Sequence, residues 1–144
     1  MSWAYFDTSA LIKRYFDEAG RREVLQLLRR HQCVTSAVLP VEFRSALRRR
    51  AADGSLDEQR IPEILRRFST DREFWAMVEV TGEVLRTAER LVASHPLRTL
   101  DAVHVASSLL FGARVALPVT FVSADVRQAE VASTIGMPTR IIAS

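Results

Sequence analysis

The 144-residue sequence is poor in cysteine, in lysine and in long hydrophobic runs. Its single cysteine, Cys33, cannot form a disulfide within the chain. No apolar run reaches the roughly 18–20 residues of a membrane-spanning helix, and no basic segment followed by a long apolar stretch marks a signal peptide. These absences exclude a disulfide-stapled scaffold and a membrane-spanning helix, and they predict a cytoplasmic protein with no membrane partner.

Lysine is almost absent, since 19 of the 20 basic residues are arginine and only Lys13 is lysine. Arginine binds phosphate through two parallel hydrogen bonds and stacks on bases, so an arginine-rich surface favours a nucleic-acid partner. The same bias can also reflect a GC-rich genome, and the net charge of +3 is modest. Charge alone therefore leaves the partner open.

What the sequence does contain is a regular alternation of strand-like and helix-like segments. Short apolar stretches predict five strands, in WAYFD, CVTS, FWAMVEV, VTFVS and TRIIA. Between them lie patterns of helical spacing, in TSALIKRYFDE, RREVLQLLRR, AVLPVEFRSALRRRAA, LDEQRIPEILRRF, GEVLRTAERLVASH, TLDAVHVASSLLFG and VRQAEVASTIG. With no repeats or linkers, this order predicts one α/β domain over residues 1–144, with a parallel sheet covered by helices on both faces.

Local signals add detail at three places. The SLDE motif predicts a capping box in which Ser55 reaches toward Glu58 and starts a helix. The capping role at the helix that begins TLD is open to Thr99. A core cluster is predicted at the third strand from Phe74, Trp75 and Met77.

Four carboxylates fall at comparable places in these segments. Asp7 ends the first strand, and Asp125 follows the fourth. Glu42 lies early in the helix after the second strand, and Asp101 lies in the first turn of the helix before the fourth. Ligands of open α/β sheets bind at the carboxyl ends of the strands, near the point where the strand order reverses. The sequence therefore predicts that at least three of these acids face one end of the sheet.

Helix capping could account for some of these acids without any function. Asp7 and Asp125 both suit an N-cap, and Asp101 is favoured in a first turn by the helix dipole. Glu42 is different, because no arginine lies three or four positions from it on its helix. Those neighbours are Val38, Leu39, Ser45 and Ala46. A carboxylate on such a face must be paired, protonated or bound to a metal, so Glu42 is predicted to be functional.

Converging carboxylates repel one another unless a cation joins them. Oxygen ligands suit Mg²⁺ or Mn²⁺, whereas zinc would require histidine and cysteine clusters that this sequence lacks. Two such ions can activate a water molecule and stabilise the leaving oxygen of a phosphodiester. Hydroxyl groups beside the acids strengthen this pattern: Thr8, Ser9, Ser36, Thr99 and Ser123. Together with the basic surface, the acids predict a metal-dependent nuclease.

Four segments of the chain are similar to a known set of motifs. These are YFDTSALIKRYFDEAG, VTSAVLPVEFRSALRRR, LRTLDAVHVASSLL and TFVSADVRQAEVASTIGM. In this order they resemble the motif regions of the PIN-domain ribonucleases, and above all the VapC-type toxins of toxin–antitoxin pairs. The resemblance runs from Asp7 to the last strand. It implies a three-layer α/β/α sandwich around a central, mostly parallel sheet, and cleavage of RNA with Mg²⁺ or Mn²⁺.

The resemblance also implies which residues form the site. The family's catalytic and metal-binding acids fall on Asp7, Glu42, Asp101 and Asp125, and none is missing. Its hydroxyl positions near the metal match Ser9 and Ser123, while Thr8, Ser36, Thr99 and His104 are candidates for support behind the ligands. The family resemblance further implies a homodimer and a cognate antitoxin that silences the toxin.

His104 and a run of arginines accompany these acids in the sequence. His104 lies three residues after Asp101, on the same helical side. We expect it to support or pack rather than to act as a general base, because metal-bound water needs no protein base. Arg44, Arg48 and Arg49 would contact RNA phosphate or an acidic antitoxin segment, although such runs most often form a solvated face.

Two other functions fit parts of the pattern. Phosphotransfer enzymes of the haloacid-dehalogenase type also place an aspartate after the first strand. That chemistry needs a second aspartate two residues later, where this chain has Ser9. The other alternative is a non-catalytic PIN-fold module that binds RNA or protein. Four intact acids argue against it, because a binder of polyanions gains nothing from a carboxylate cluster.

Overall fold

Five strands form one sheet at the centre of the molecule. A computed structural model describes all residues 1–144. The strands are β1 (Trp3–Phe6), β2 (Gln32–Ser36), β3 (Ala76–Val78), β4 (Val119–Ser123) and β5 (Thr139–Ile141). Their order is β3-β2-β1-β4-β5, and every neighbouring pair is parallel. All five predicted strands are confirmed, and β3 is shorter than the apolar segment that predicted it.

Helices cover both faces of this sheet. They are α1 (Thr8–Leu11), α2 (Arg21–Arg30), α3 (Leu39–Ala52), α4 (Ile61–Arg72), α5 (Gly82–Ser94), α6 (Thr99–Val115) and α7 (Val126–Thr134). The core residues of α1 to α4 pack on one face, and those of α5 to α7 pack on the other. The predicted three-layer α/β/α sandwich is confirmed. None of the helices has the length and apolar character needed to cross a bilayer.

Side chains on the two faces of β1 belong to two separate hydrophobic clusters. Phe6 belongs to the first cluster, where Phe43 and Phe68 stack with ring centroids 4.3 Å apart. Tyr5 belongs to the second, where it stacks on Phe121 at 5.6 Å. Successive strand side chains point to opposite faces, so a single central strand joins both cores. Burial of each such aromatic side chain contributes about 1.5–3 kcal/mol.

The first predicted helix is shorter than its sequence pattern indicates. It ends at Leu11, a 3-10 turn follows over Ile12–Tyr15, and Phe16 is extended at φ −133° and ψ 145°. Tyr15 and Phe16 are both buried in the first cluster. Consecutive residues of an α-helix point about 100° apart, so the change of backbone conformation lets both rings enter one core.

Two of the three local predictions are wrong, and the third holds only in part. Ser55 donates its hydroxyl hydrogen to Asp53 rather than joining a capping box, and α4 begins only at Ile61. Pro62, in the first turn of α4, suits a start at this point because a proline there forfeits no helical hydrogen bond. Thr99 is the first residue of α6 and makes no capping hydrogen bond. Of the predicted core cluster at the third strand, Trp75 packs against the first hydrophobic cluster, whereas Phe74 is 83% exposed and lies outside it.

Candidate active site

The strand order reverses between β1 and β4. The chain runs outward from β1 to β2 and β3, then returns through α5 and α6 to place β4 on the other side of β1. Asp7 directly follows β1, and its backbone N–H donates to the carbonyl of Val122 at 3.1 Å. Asp125 lies two residues beyond β4 and is the N-cap of α7. The switch point therefore has an aspartate on each side, as expected for a ligand site of this architecture.

Asp7 is a buried carboxylate held only by neutral donors. It is 2% exposed, and it accepts hydrogen bonds from the hydroxyls of Ser9 at 2.8 Å and Ser123 at 2.5 Å and from the N–H of Ala10 at 3.0 Å. Burial raises the pKa of Asp7, against the opposing effect of His104 and these hydrogen bonds. Ser123 also accepts from the N–H of Asp125 at 3.0 Å, so one hydroxyl connects both aspartates.

Glu42, near the start of α3, is held by two side chains from distant parts of the chain. Its Oε1 accepts from Thr8 Oγ1 at 2.7 Å and lies 2.7 Å from His104 Nε2. Burial alone would raise the pKa of Glu42, but the hydrogen bond and charge of His104 outweigh it and the pKa is lowered. No arginine forms an ion pair with this carboxylate, which is hydrogen-bonded to the imidazole of His104 instead.

His104 lies between Glu42 and the buried ring of Tyr5. The imidazole is 2% exposed, and its Nδ1 is 2.8 Å from the Tyr5 hydroxyl. An ionised carboxylate only accepts, so Nε2 carries the proton toward Glu42; in the neutral ring Nδ1 then accepts from Tyr5. Both ring nitrogens are thereby occupied, which fits a supporting role for the imidazole.

Asp101 and Asp125 form the second half of the acidic group. The guanidinium of Arg98 lies 3.5 Å from Asp101 and 3.9 Å from Asp125. Gln128 is 2% exposed; its backbone N–H donates to Asp125 at 3.2 Å and its amide donates to the Asp101 carbonyl at 3.2 Å. Burial and the nearby Asp125 raise the pKa of Asp101, although Arg98 opposes them.

Two of the predicted hydroxyls make no hydrogen bond to the four carboxylates. Ser36 is buried and its oxygen accepts from the backbone N–H of Val38 at 3.1 Å. Thr99 is exposed and makes no side-chain hydrogen bond to an acid. The four acids share one edge of the sheet, but no three or more His, Cys, Asp or Glu side chains are arranged here as a ready-made ligand set.

This fold has counterparts among known proteins. A family model described as the PIN domain matches residues 4–133. The chain belongs to the PIN-domain family. It is 34% identical over 116 residues to two Mycobacterium tuberculosis proteins, Ribonuclease VapC45 of strain CDC 1551 / Oshkosh and Ribonuclease VapC49 of strain ATCC 25618 / H37Rv, and the match covers 78% of this chain and of each relative. The predicted resemblance to VapC-type PIN domains is confirmed.

A solved structure supports the fold of this PIN domain independently. A chain of a toxin-antitoxin complex from Klebsiella pneumoniae superposes with a TM-score of 0.64 at 16% sequence identity. The match covers 87% of this chain and 88% of that one. At this identity the similarity shows a shared three-layer architecture.

The sequence pattern did not predict three side chains of the PIN-domain site. Gln128 follows Asp125 by three residues, and Arg98 precedes Asp101 by three. That spacing places each beside its aspartate on a helix start, which is the signal that could have found them. Tyr5 gave no such signal, because its contact with His104 spans 99 residues.

A cavity of the PIN domain lies between α3 and α4, and none of the four acids lines it. It has a volume of about 570 Å³ and an apolar floor that includes Leu47, Ile61 and Leu65. Arg44 and Arg48 line it. We call this cavity the α3–α4 groove. Arg49 points elsewhere, donating to Ser45 at 2.9 Å, so the three predicted arginines occupy two different faces of α3.

Proposed function

We propose that this PIN domain is an endoribonuclease that requires Mg²⁺ or Mn²⁺ and acts as the toxin of a toxin–antitoxin pair. The observation that carries the proposal is the set of four carboxylates at the switch point of the sheet: Asp7, Glu42, Asp101 and Asp125. The relatives named Ribonuclease VapC support ribonuclease activity.

The donor set is chemically suited to a hard divalent cation. Asp7 has no cationic side chain in ion-pair contact, and Asp101 faces the like charge of Asp125. Both situations favour a bound cation. It would offset the cost of burying the charge of Asp7 and the repulsion between Asp101 and Asp125. The four carboxylates would hold the ion, and when bound it supplies charge stabilisation and an activated water for phosphodiester hydrolysis.

The other residues of the site would keep these carboxylates ionised and oriented for metal binding. Ser9 and Ser123 orient both oxygens of Asp7 through hydrogen bonds of 2.5–2.9 Å. His104 lowers the pKa of Glu42, which keeps that group charged. Hydrogen bonds of this kind to ligand side chains support metal affinity by about 10–100-fold. Arginines on the surrounding surface would bind the RNA backbone.

An antitoxin segment would bind across α3 in this proposal. Glu42 lies in the first turn of α3, and Arg48 lies six residues later at the α3–α4 groove. At 1.5 Å per residue these positions are about 9 Å apart along the helix axis, so one extended segment could reach both. A basic side chain of the segment would pair with the carboxylates. Its apolar residues would occupy the groove, and its acidic residues would pair with the arginines that line the groove.

A homodimer is the expected assembly of this PIN domain. On α5, Leu85 is 50% exposed and Val92 is 43% exposed. They are two helical turns apart and share one face, so a second copy of the chain could cover both. Size-exclusion chromatography with light scattering should give twice the monomer mass, and Leu85→Glu with Val92→Glu should reduce it to that of a monomer.

Cleavage of a fluorescent RNA by the purified protein tests the nuclease directly. Activity should require Mg²⁺ or Mn²⁺ and disappear with EDTA. Asp7→Asn, Glu42→Gln, Asp101→Asn and Asp125→Asn should each lower cleavage by about 100-fold or more, since even residues behind metal ligands are worth about 10–100-fold. Glu130→Gln, which changes an exposed acid on α7, is the control and should remain active.

Two outcomes would contradict the proposal. Full cleavage in excess EDTA, once contaminating nuclease is excluded, would show that the activity needs no metal ion. RNA binding without cleavage by the wild-type protein would indicate a binding module instead. The toxin role has its own test: expression should arrest growth of the host, and co-expression of the small neighbouring gene should relieve that arrest.

A further inference from the structure

Arg98 lies on the open side of the pair formed by Asp101 and Asp125. Its Nε is 3.5 Å from Asp101 Oδ2, and one terminal nitrogen is 3.9 Å from Asp125 Oδ2. The arginine side chain is 80% exposed, whereas the two carboxylates are 21% and 27% exposed. Arg98 is the only arginine or lysine in ion-pair contact with any of the four acids.

These contacts are loose compared with other ion pairs of the molecule. Arg14 lies 2.7 Å from Asp71, and Arg140 lies 2.6 Å from Glu23, both within hydrogen-bond distance. The Arg98 contacts exceed the usual limit of about 3.2 Å for an N–H···O bond. Charge attraction alone therefore holds this guanidinium near two carboxylates, and an exposed attraction of that kind is weak and easily exchanged.

We propose that Arg98 is an exchangeable internal counter-ion of the metal site, which neutralises Asp101 and Asp125 until a divalent cation displaces it and which then binds an RNA phosphate. This inference rests on the proposed metal-dependent ribonuclease function. In the metal-free protein, Arg98 competes with the metal ion for the two carboxylates. In the metal-bound protein, it helps to bind the RNA substrate.

The charges favour this exchange. One guanidinium offsets a single negative charge of the two carboxylates, whereas a divalent cation offsets both at shorter range. The backbone of Arg98 stays in place during the exchange, because it is the N-cap residue of α6 and its carbonyl accepts from Ala102 at 3.0 Å. A released guanidinium would therefore remain beside the site, where its fork of donors matches a phosphodiester.

Calorimetric titration of the metal-free protein with Mn²⁺ tests the competition. Arg98→Gln should bind Mn²⁺ about two- to tenfold more tightly than wild type, the range expected when one weak competing ion pair is removed. The side chain makes no capping hydrogen bond, so the start of α6 is left intact. Arg127→Gln is the matched control: it removes one exposed positive charge two residues after Asp125, from an arginine without an ion pair, and should bind as wild type does.

A second measurement follows the guanidinium itself. In ¹⁵N-labelled protein, the Nε–H signal of Arg98, assigned by its loss in Arg98→Gln, should shift when Mg²⁺ is added. An unchanged Nε–H signal would contradict displacement of the guanidinium. In steady-state RNA cleavage at saturating Mg²⁺, Arg98→Gln should raise KM several-fold with a smaller change in kcat, because a phosphate contact is lost.

The outcomes separate this inference from the proposed function. Absence of Mn²⁺ binding by the wild-type protein would overturn the metal site and the inference together. If the wild-type protein binds Mn²⁺ and Arg98→Gln binds it equally or more weakly, the counter-ion role of Arg98 is overturned. The same holds if Arg127→Gln tightens Mn²⁺ binding as much as Arg98→Gln does. Neither result would contradict the metal site. An unchanged KM would overturn its contact with RNA phosphate.

Discussion

At the scale of single residues, the pKa values of two carboxylates of the site shift in opposite directions, although burial acts to raise both. The pKa of Asp7 is raised, because neutral hydroxyl and amide donors do not offset its burial. The pKa of Glu42 is lowered, because the hydrogen bond and charge of His104 and the hydrogen bond of Thr8 together outweigh the burial of a less deeply buried group. Depth of burial and the chemical type of the partners together decide in which direction each pKa moves.

The raised pKa of Asp7 predicts a pH-dependent stability. The folded protein binds this proton more tightly than the unfolded chain, whose value is near 3.8. Stability should therefore fall as the pH rises from about 3.8 through the raised pKa, and the loss should persist at neutral pH. Asp7→Asn removes the charge and keeps an oxygen that can cap α1, so it should raise the melting temperature of the metal-free protein at pH 7 by about 2–4 °C.

Thermal unfolding in EDTA between about pH 4 and pH 8 measures this difference. The gain from Asp7→Asn should shrink toward the acidic end, where the wild-type carboxyl is protonated. Glu130→Gln, an exposed acid, should show little gain at any pH. If Asp7→Asn lowered the melting temperature equally across the range, the lost hydroxyl hydrogen bonds would outweigh the charge.

At the scale of elements, the starts of α6 and α7 are joined by one buried side chain. Gln128 on α7 donates to the Asp101 carbonyl on α6, and its backbone N–H is capped by Asp125. The two acids come from elements that are separated in the chain by β4. A single amide therefore fixes the spacing of the Asp101–Asp125 half of the site.

Replacement of Gln128 by leucine should loosen this half of the site. The change keeps the volume but removes the amide donor, which should lower the free energy of unfolding by about 1 kcal/mol. Mn²⁺ affinity should fall by about tenfold, as for other residues that orient metal ligands. Urea unfolding and calorimetry would measure the two effects, with Gln26→Leu on the exposed side of α2 as the control. Lost stability with unchanged Mn²⁺ affinity would leave Gln128 a purely structural residue.

At the scale of the whole molecule, α3 connects two separate surfaces. Its first turn carries Glu42 into the acidic edge, while Arg44 and Arg48 line the α3–α4 groove. Both surfaces lie on one helix, so a partner segment bound in the groove would reach the acids by extending along α3. This arrangement suits inhibition by direct occlusion.

Binding of the neighbouring gene product tests the groove. The double variant Arg44→Glu with Arg48→Glu should weaken binding of this partner at least about tenfold, because attraction to acidic residues of the partner becomes repulsion. Arg22→Glu with Arg30→Glu makes the same charge change on exposed positions of α2 and should have little effect. Arg49→Glu, on another face of α3, shows separately whether that arginine contributes. Equal binding by all variants would exclude the arginine contacts.

Much of the fold followed from local patterns. Apolar segments separated by helical periodicity predicted all five strands and the layered sheet, because strand and helix periods are properties of neighbouring residues. The same patterns failed where packing overrode them. The first helix ends early so that Tyr15 and Phe16 can both enter the core, and Phe74 follows a helix into solvent instead of joining β3.

The sequence by itself determined the architecture and the positions of the four acids along it. Parallel strands must end at one edge, so acids after β1 and β4 had to meet there. Only the tertiary structure decided what each acid touches. Glu42 and His104 are 62 residues apart, and Ser123 reaches Asp7 across 116 residues. No local period reports contacts of that range, because they depend on how the packed layers bring distant segments together.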